Sequence, residues 1–219
     1  MDARKMIEER HSVRSYKQAA IESEKVHVIR EEIYKLNEES GLHIQYIDRA
    51  NGVFGGLMQK FAGWKKEPAG YFALVGRESE ELEEKCGYYG EKLVLFVQSL
   101  GLRTCWVGMF KKSHAQAEIK QGEKLVITIA VGYGEDDGKA HRSKLIDKVT
   151  DVKDMPDWFR DGVDCALKAP TAINQQKFFI TLENEKPVIR ISGVGPFVKC
   201  DLGIVKCHFE IGSGKRLYK

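Results

Sequence analysis

Apolar residues recur at helical spacing in four segments of the chain. A helix is predicted over 22–40, where one apolar stripe is formed by Val26, Ile29, Ile33 and Leu36. Gly41 follows directly, where a residue that ends a helix is expected. A longer stripe predicts a helix over 79–100, and its second half, KLVLFVQSL, is apolar nearly all round, which indicates a central position. Similar spacing predicts helices over 157–168 and 201–211.

Short apolar runs predict the strands of the fold. Two of them, YFALVG at 71–76 and LVITIAVG at 125–132, are apolar on both faces, which is typical of strands buried in a core. A third strand is predicted over 43–48. Two strands at 178–182 and 188–192 form a hairpin joined by ENEKP. Because helices and strands alternate without a βαβ rhythm, we expect an α+β fold and a single domain.

The composition excludes several classes of partner. The chain has 219 residues, of which 42% are hydrophobic and 31% are charged, and its formal net charge is +3. So small a charge argues against binding to nucleic acid or membrane surfaces through bulk electrostatics. No window reaches the roughly 18 apolar residues that a membrane-spanning helix requires. The charged N-terminus, MDARKMIEER, lacks the apolar core of a signal peptide. We therefore expect a cytoplasmic protein with no nucleic-acid or membrane partner.

Common nucleotide and metal signatures fail on inspection. No GxGxxG follows a predicted strand, and the six histidines form no HxxxH or HExxH pair. The GSGKR run at 212–216 resembles the end of a P-loop. However, Phe209 stands where the first glycine is required, and Arg216 stands where a hydroxyl residue would hold magnesium. We expect neither a dinucleotide-binding fold nor a metal site.

The five cysteines form no CxxC pair, and their number is odd. Free, mostly buried thiols are the leading interpretation. A nucleophilic role stays open for Cys165, Cys200 or Cys207.

One candidate binding segment is RHSVRSY at 10–16, where Arg10, Ser12 and Arg14 lie within five residues. Guanidinium groups are rigid, bidentate donors suited to phosphates and to flavin carbonyls. The alternative interpretation is a solvated basic N-terminus.

A second candidate is the loop APTAINQQ at 169–176, where a proline ends the preceding helix and small and amide residues follow. Such a loop can bring Asn174 and Gln176 to the polar edge of a flat ligand, because amides both donate and accept hydrogen bonds. The alternative is a helix stop with solvated amides.

A third candidate is LGLRTCWVGMF at 100–110. Its Gly108 permits close backbone approach to a ligand. A ring system could be walled by Trp106, Met109 and Phe110. The alternative is a buried turn between a helix and a strand.

Together these segments resemble the nitroreductase-family flavoproteins. RHSVRSY looks like their RRSxRxF opening, GLRTCWVGMF resembles their GLGxxWxGxF segment, and APTAINQQKF is similar to their APSAxNxQPWxF loop. AVGYGEDDGKAHRSK resembles their GYP segment with its basic tail. The order of the motifs differs from the usual one and resembles a rearranged subfamily built from two related halves, here roughly 1–150 and 151–219. EKCGYYGEKLVLFVQSLG and KCDLGIVKCHFEIGSG look like weak copies of each other. Lys177 and Phe178 replace the Pro and Trp of the family's loop.

The resemblance implies a central, mostly antiparallel sheet flanked by helices, with FMN bound between two subunits. Arg10, Ser12 and Arg14 would hold the phosphate, the ribityl chain and the pyrimidine edge, with help from the His11 backbone. The ring would be contacted by two further sets of residues: Val107, Gly108 and Met109, and, from the other subunit, Pro170, Thr171, Ala172 and Asn174. Arg142 and Lys144 are candidates for the phosphate end, against the alternative of a solvated basic loop.

The activity implied is an FMN-dependent NAD(P)H oxidoreductase that reduces nitroaromatic, quinone or enone-like acceptors as a homodimer. No residue in the motifs looks like a dedicated acid, base or nucleophile, which fits chemistry carried by the cofactor. A non-catalytic FMN-binding protein for storage or sensing, and a flavin-fragmenting enzyme, stay open as alternatives. The stretch 50–64 either covers the pocket or forms an ordinary core patch through Phe54, Met58, Phe61 and Trp64.

Overall fold

A computed structural model describes residues 2–55, 63–140 and 142–217. The chain divides into two compact units. The sheet unit comprises Arg10–Leu82 and Leu93–Ala140, and the helical unit comprises Met1–Glu9, Glu83–Lys92 and His141–Lys219.

The sheet unit is built on a four-stranded, fully antiparallel sheet in the order β1-β2-β4-β3. Its strands are β1 (Gln45–Asp48), β2 (Gly70–Arg77), β3 (Arg103–Val107) and β4 (Glu123–Gly132). The two strands predicted as buried, β2 and β4, are buried along nearly their whole length. β3 was not predicted, because its five residues RTCWV are too few and too mixed in polarity to give a clear period.

Two helices of the prediction contribute to the sheet unit, α2 (Ser23–Ser40) and the second half of α3 (Leu82–Ser99). The predicted stripe of α2 is confirmed at Ile29, Ile33 and Leu36, which are buried. Gly41 ends the helix with φ 70°, and its N–H donates to the Asn37 carbonyl. This left-handed conformation suits glycine, which lacks the Cβ that makes it costly.

In its described residues, the helical unit contains three α-helices besides the first half of α3, two 3-10 helices and one hairpin. The helices are α1 (Ala3–Glu9), α4 (Asp157–Ala166) and α5 (Val198–Ser213), and the hairpin pairs β5 (Phe178–Glu183) with β6 (Lys186–Ile191). The hairpin turns at Asn184 and Glu185, with φ 49° and 61°, as expected where strand twist favours positive φ. α4, α5 and the hairpin confirm the predictions. α1 was missed, because its sequence ARKMIEE has too few apolar residues to show a period.

Two glycines let α3 and α5 approach closely inside the helical unit. A Cβ added at Gly87 would lie closer than 3.0 Å to the Cys200 carbonyl, and one added at Gly203 would lie as close to the Glu84 carbonyl. The contact is reciprocal, since each glycine faces the backbone of the other helix. The segments that look like weak sequence copies therefore pack against each other.

A buried ion-pairing network also joins the helices of this unit. His208 Nε2 lies 2.8 Å from Glu91 Oε1, and both side chains are fully buried. His208 Nδ1 lies 3.0 Å from the Cys165 carbonyl, which can only accept a hydrogen bond, so Nδ1 carries a proton. His208 thus bonds α4 through Nδ1 and α3 through Nε2. The network links α3, α4 and α5.

The cysteine prediction is confirmed, because all five thiols are free and buried. Burial raises the pKa of each, in the case of Cys86 to about 12. Thiols of raised pKa are poor nucleophiles at neutral pH, so a nucleophilic role for Cys165, Cys200 or Cys207 gains no support. Among the described residues, no helix is both long and apolar enough to cross a membrane.

The close approach of α3 and α5 at Gly87 and Gly203, here called the glycine crossing, can be tested by adding one methyl group at Gly87. We expect Gly87→Ala to lower the free energy of unfolding by about 1–3 kcal/mol, because the added carbon overlaps a backbone carbonyl that cannot move aside easily. Urea denaturation measures the change. Lys85→Ala, in the same helix but without an added atom in the crossing, is the matched control. A Gly87→Ala protein as stable as the parent would show that the helices are farther apart than described.

Candidate functional site

The segment Arg10–Tyr16, here called the arginine segment, is held along the free edge of β3. The N–H of Val13 donates to the Thr104 carbonyl at 3.0 Å, and Ser12 pairs with Thr104 in a parallel bridge. The carbonyl of Ser15 accepts the Glu135 N–H at 2.9 Å. Backbone hydrogen bonds to two other segments therefore fix where its side chains lie, all within the sheet unit.

The two arginines of this segment differ in exposure. Arg10 is buried, with 4% of its surface accessible, whereas Arg14 is exposed. Arg14 forms no ion pair with any described carboxylate, while nearby Arg103 pairs with Asp137 at 2.6 Å. Arg14 is thus the arginine that a dissolved anion can reach.

Cys105 on β3 is buried close to the arginine segment. Burial raises the pKa of its thiol, and the charges of Arg14 and Arg10 and a hydrogen bond with Ser12 oppose that shift. Both guanidinium groups therefore lie close enough to the thiol to affect its pKa. Sequence reasoning missed this position of Cys105, since nothing in GLRTCWVGMF indicates that the cysteine faces the arginines.

Lys65 is a second exposed cation beside Arg14, and it was not predicted. Its N–H donates to the Arg14 carbonyl at 3.0 Å. The neighbouring Lys66 pairs with Glu135, which also accepts a hydrogen bond from the Ser15 hydroxyl. The bonds from Lys66 and Ser15 lower the pKa of Glu135. The basic pair in GWKKE was the available sequence signal.

The residues that follow β3 separate into exposed and buried ones. Val107 is buried, Gly108 is half-buried and Met109 is exposed. Phe110 packs against the apolar cluster on one face of the sheet. Of the aromatic and apolar residues proposed to wall a ring, Met109 is therefore the most accessible.

Phe54 and Trp64 belong to that apolar cluster. Their rings stack at 5.3 Å with an interplanar angle of 12°, and Trp64 also stacks on Tyr16 at 5.9 Å. Of the two interpretations of 50–64, the ordinary core patch holds for these two residues. Met58 and Phe61 lie outside the described residues.

In the helical unit, Gln176 is the centre of the loop Ala169–Gln176, here called the amide loop. It is 2% exposed, its N–H donates to Thr171 Oγ1 at 3.0 Å, and its Oε1 accepts the Lys144 N–H at 2.8 Å. Its Nε2 donates to the Arg142 carbonyl at 2.9 Å. The expectation that Gln176 meets a ligand gains no support, because its amide is buried and already bonded to the backbone of Arg142 and Lys144.

The same network brings Arg142 and Lys144 to the amide loop. Asn174 Nδ2 donates to the Arg142 carbonyl at 3.0 Å, and Lys144 Nζ donates to the Gln176 carbonyl at 2.7 Å. Asn174 Oδ1 accepts from Gln176 Nε2 at 2.9 Å. The Arg142 side chain is exposed and has no ion pair among the described residues. Two motifs that are distant in sequence are therefore joined by amide hydrogen bonds.

The backbone of the amide loop is strained. Ile173, Asn174 and Gln176 have φ values of 47°, 56° and 45°. Left-handed backbone costs about 1–2 kcal/mol for an ordinary residue, and a β-branched side chain is a clear outlier there. Ile173 is also 84% exposed, so burial of its side chain does not offset this cost.

The two replacements in the family's loop motif have structural roles. Lys177 Nζ donates to the Val194 carbonyl, and Phe178 is buried at the start of β5. Lys177 holds the end of the amide loop to the segment that precedes α5.

The predicted site residues thus form two sets. In the sheet unit the structure brings together Arg10, His11, Ser12 and Arg14 with the strand that leads to Val107, Gly108 and Met109. In the helical unit it brings together Arg142 and Lys144 with Pro170, Thr171, Ala172 and Asn174. Within the described ranges, no three His, Cys, Asp or Glu side chains are grouped so that they could hold a metal ion.

Three solved structures with a similar fold are described as nitroreductases or as an NAD(P)H:FMN oxidoreductase. A "putative nitroreductase" from Thermotoga maritima MSB8 has a TM-score of 0.70 at 18% identity, over 97% of this chain and 83% of that one. A putative nitroreductase from Desulfovibrio desulfuricans, solved with FMN, has a TM-score of 0.52 at 16% identity, over 70% and 98% of the two chains. A putative NAD(P)H:FMN oxidoreductase from Staphylococcus epidermidis ATCC 12228 has a TM-score of 0.52 at 14% identity, over 67% and 93%. These similarities confirm the predicted α+β, nitroreductase-like fold.

Sequence comparison gives the same assignment. No curated protein matches the chain. The family described as "Putative TM nitroreductase" matches residues 2–213, which confirms the resemblance found in the motifs. The chain therefore belongs to this nitroreductase family.

Proposed function

We propose that the protein is an FMN-dependent oxidoreductase that takes electrons from NAD(P)H and works as a homodimer. Membership of the nitroreductase family supports the general class of activity. The observation that carries the proposal is Arg14, an exposed guanidinium without an ion pair among the described residues, held by backbone bonds beside β3. Such a group is ready to bind an anion of the size of a phosphate.

The residues of the sheet unit fit a flavin phosphate and ring. Arg14 and Lys65 supply exposed positive charge, Ser12 supplies a hydroxyl group, and Met109 supplies an accessible apolar surface. We assign the phosphate, the ribityl chain and the pyrimidine edge to Arg10, Ser12 and Arg14, with the His11 backbone. The ring is assigned to Val107, Gly108 and Met109.

The second set of residues is proposed to come from the partner subunit. Pro170, Thr171, Ala172 and Asn174 would contact the ring, and Arg142 and Lys144 would serve the phosphate end. Two features of Arg142 support this role. Its side chain is exposed, and its backbone is held at the amide loop because its carbonyl accepts two amide hydrogen bonds. Lys144 is less free, since its ammonium group already bonds the Gln176 carbonyl.

The chemistry belongs to the cofactor, and the chain binds and orients. FMN, when bound, would accept a hydride from NAD(P)H and pass electrons to a nitroaromatic, quinone or enone-like acceptor. The residues assigned to the flavin ring, which are Val107, Gly108, Met109, Pro170, Thr171, Ala172 and Asn174, contain no side chain suited to rapid proton transfer at neutral pH. The buried Cys105 thiol, whose pKa is raised by burial, stays protonated beside them.

Exposed apolar side chains around the amide loop support the homodimer. Ile173, Leu145 and Val194 are 84%, 72% and 92% exposed. Leu145 follows Lys144, which bonds Gln176, and the Val194 carbonyl accepts Lys177 Nζ, so both lie near the same loop. Contact with a second copy of the chain would bury these bulky apolar residues, which are exposed in the single subunit.

The absorbance spectrum of the purified protein, followed by anaerobic titration with NAD(P)H, tests the function directly. A yellow protein whose flavin is reduced by NAD(P)H and reoxidised by an acceptor supports the proposal. Bound FMN without turnover would favour the storage or sensing alternative, and loss of the flavin after aerobic reduction would favour flavin fragmentation. A colourless protein that cannot be reconstituted with FMN would overturn the assignment.

Removal of Arg14 tests the phosphate assignment. We expect Arg14→Ala to weaken FMN binding by about 1.5–3 kcal/mol, because a charge-assisted hydrogen bond is lost, and Arg10→Ala with Arg14→Ala to weaken it further. Fluorescence titration gives the dissociation constant. Arg77→Ala, an exposed arginine at the end of β2, is the matched control. If the FMN dissociation constant of a folded double variant were unchanged, the arginine segment would be a solvated basic surface and not a phosphate site.

A charge on the exposed apolar surface tests the dimer. We expect light scattering of the FMN-bound protein to give twice the chain mass of 24.8 kDa. Ile173→Asp should shift the population toward monomer, because a carboxylate would be desolvated in the interface. Tyr34→Asp, which changes an exposed aromatic on α2, is the control. A monomer that retains FMN at micromolar concentration would contradict the proposal.

The order of substrate binding tests the single pocket. The sequence has no second nucleotide-binding motif, so donor and acceptor should use one site over the flavin in turn. Initial rates at several acceptor concentrations should give parallel double-reciprocal lines, with turnover that depends weakly on pH near neutrality. Intersecting lines together with a stable ternary complex would show a second site.

A further inference from the structure

We propose that Asp201 is a positioning residue that fixes the shape of the amide loop for flavin binding. The inference rests on the proposed function, and Asp201 itself is not assigned a contact with the flavin. It stands in the first turn of α5 and is buried. Its Oδ1 accepts the Ala172 N–H at 2.9 Å, and its Oδ2 accepts Gln175 Nε2 at 2.7 Å. One carboxylate therefore holds the loop at two points.

These two points bracket the most strained part of the loop. Ala172 and Gln175 lie on either side of Ile173 and Asn174, both of which have left-handed backbone. Strained backbone persists only where the surroundings over-determine it. On the far side, Gln176 is tied to the Arg142 carbonyl and the Lys144 N–H. Asp201 supplies the matching restraint on the near side, and without it the strained pair is free to relax.

The orientation of the Gln175 amide shows that the carboxylate dictates the geometry. Gln175 Nε2 donates to Asp201 and also to the Pro196 carbonyl at 2.7 Å. Its Oε1 is buried without a hydrogen-bond partner among the described residues. Rotating the amide would place Oε1 against two acceptors, so the oxygen stays unsatisfied. The loop keeps this unfavourable atom because the Asp201 bond requires it.

The carboxylate is held by N–H donors and not by a cation. It forms no ion pair with a described residue, although Lys199 stands on the same helix and Lys177 directly precedes β5. The titratable groups of α3 that act on the neighbouring Cys200 are Cys86, Glu83 and Glu91. None of them is a cation that could pair with the Asp201 carboxylate. Burial raises the pKa of Asp201 to about 6, and the bonds from Gln175 and Ala172 oppose this rise.

The ionisation of Asp201 affects the stability of the fold and the restraint of the amide loop in opposite directions. Because the pKa of the folded state lies above the ordinary value of 3.8, ionised Asp201 opposes folding above about pH 6, and this opposition fades as the pH falls. Protonation removes the buried charge but also places an O–H against an N–H donor. Between pH 7 and pH 5, the contribution of this group to stability therefore rises while its hold on the loop weakens.

The test uses Asp201→Asn, which keeps the shape but can accept only one of the two bonds without an N–H facing an N–H. We expect the FMN dissociation constant to rise by about tenfold at pH 7.5, with thermal stability unchanged or increased. The flavin phosphate itself titrates at about pH 6 in both proteins, so the constant of the parent should rise more steeply than that of the variant as the pH falls through about 6. Asp164→Asn, an exposed carboxylate on α4, is the matched control.

Hydrogen exchange of peptides covering 169–176, measured without flavin, makes the inference independent of the proposed function. Faster exchange in Asp201→Asn than in Asp164→Asn is expected. Equal exchange in the two variants would overturn the restraint, whether or not the protein binds FMN. Faster exchange with an unchanged FMN constant would overturn the role in flavin positioning. Failure of the parent to bind FMN, with faster exchange in the variant, would overturn the proposed function and leave the loop restraint standing.

Discussion

The contact between α3 and α5 is the constraint on which the helical unit depends. That unit is assembled from three separate stretches of the chain, and the stretch Glu83–Lys92 joins it only as part of α3. Glycines at 87 and 203 allow the two backbones to approach, and the buried pair of His208 and Glu91 fixes their register. The start of α5 in turn carries Asp201, so the position of this helix determines where the amide loop is held.

The sequence predicted the elements in which apolar residues repeat regularly. It did not predict elements that form because of hydrogen bonds to other parts of the chain. α2, α3, α4 and α5 each carry a stripe long enough to define a helix, and β2 and β4 are continuous apolar runs. β3 is short and mixed, and it is a strand because β4 and the arginine segment pair with it on either side. Such pairing is set by tertiary structure, which no local pattern reports.

The candidate site shows the same limit. The motifs located the arginine segment and the amide loop, because arginines and amides cluster there in sequence. The role of Gln176 could not be read, since an amide that binds a ligand and one that braces a loop have the same side chain. Lys65 and Asp201 were also missed, because each reaches the site through a hydrogen bond to a residue distant in sequence, at 3.0 Å to Arg14 and 2.9 Å to Ala172.

The burial of all five thiols has a practical meaning for anyone who handles the protein. Burial raises the pKa of every thiol, so a reagent in solution meets neither an accessible sulfur nor a thiolate. Modification then requires that the surrounding structure opens first. Labelling rates at Cys105 and at Cys200 would therefore act as separate clocks for opening of the sheet unit and of the helical unit.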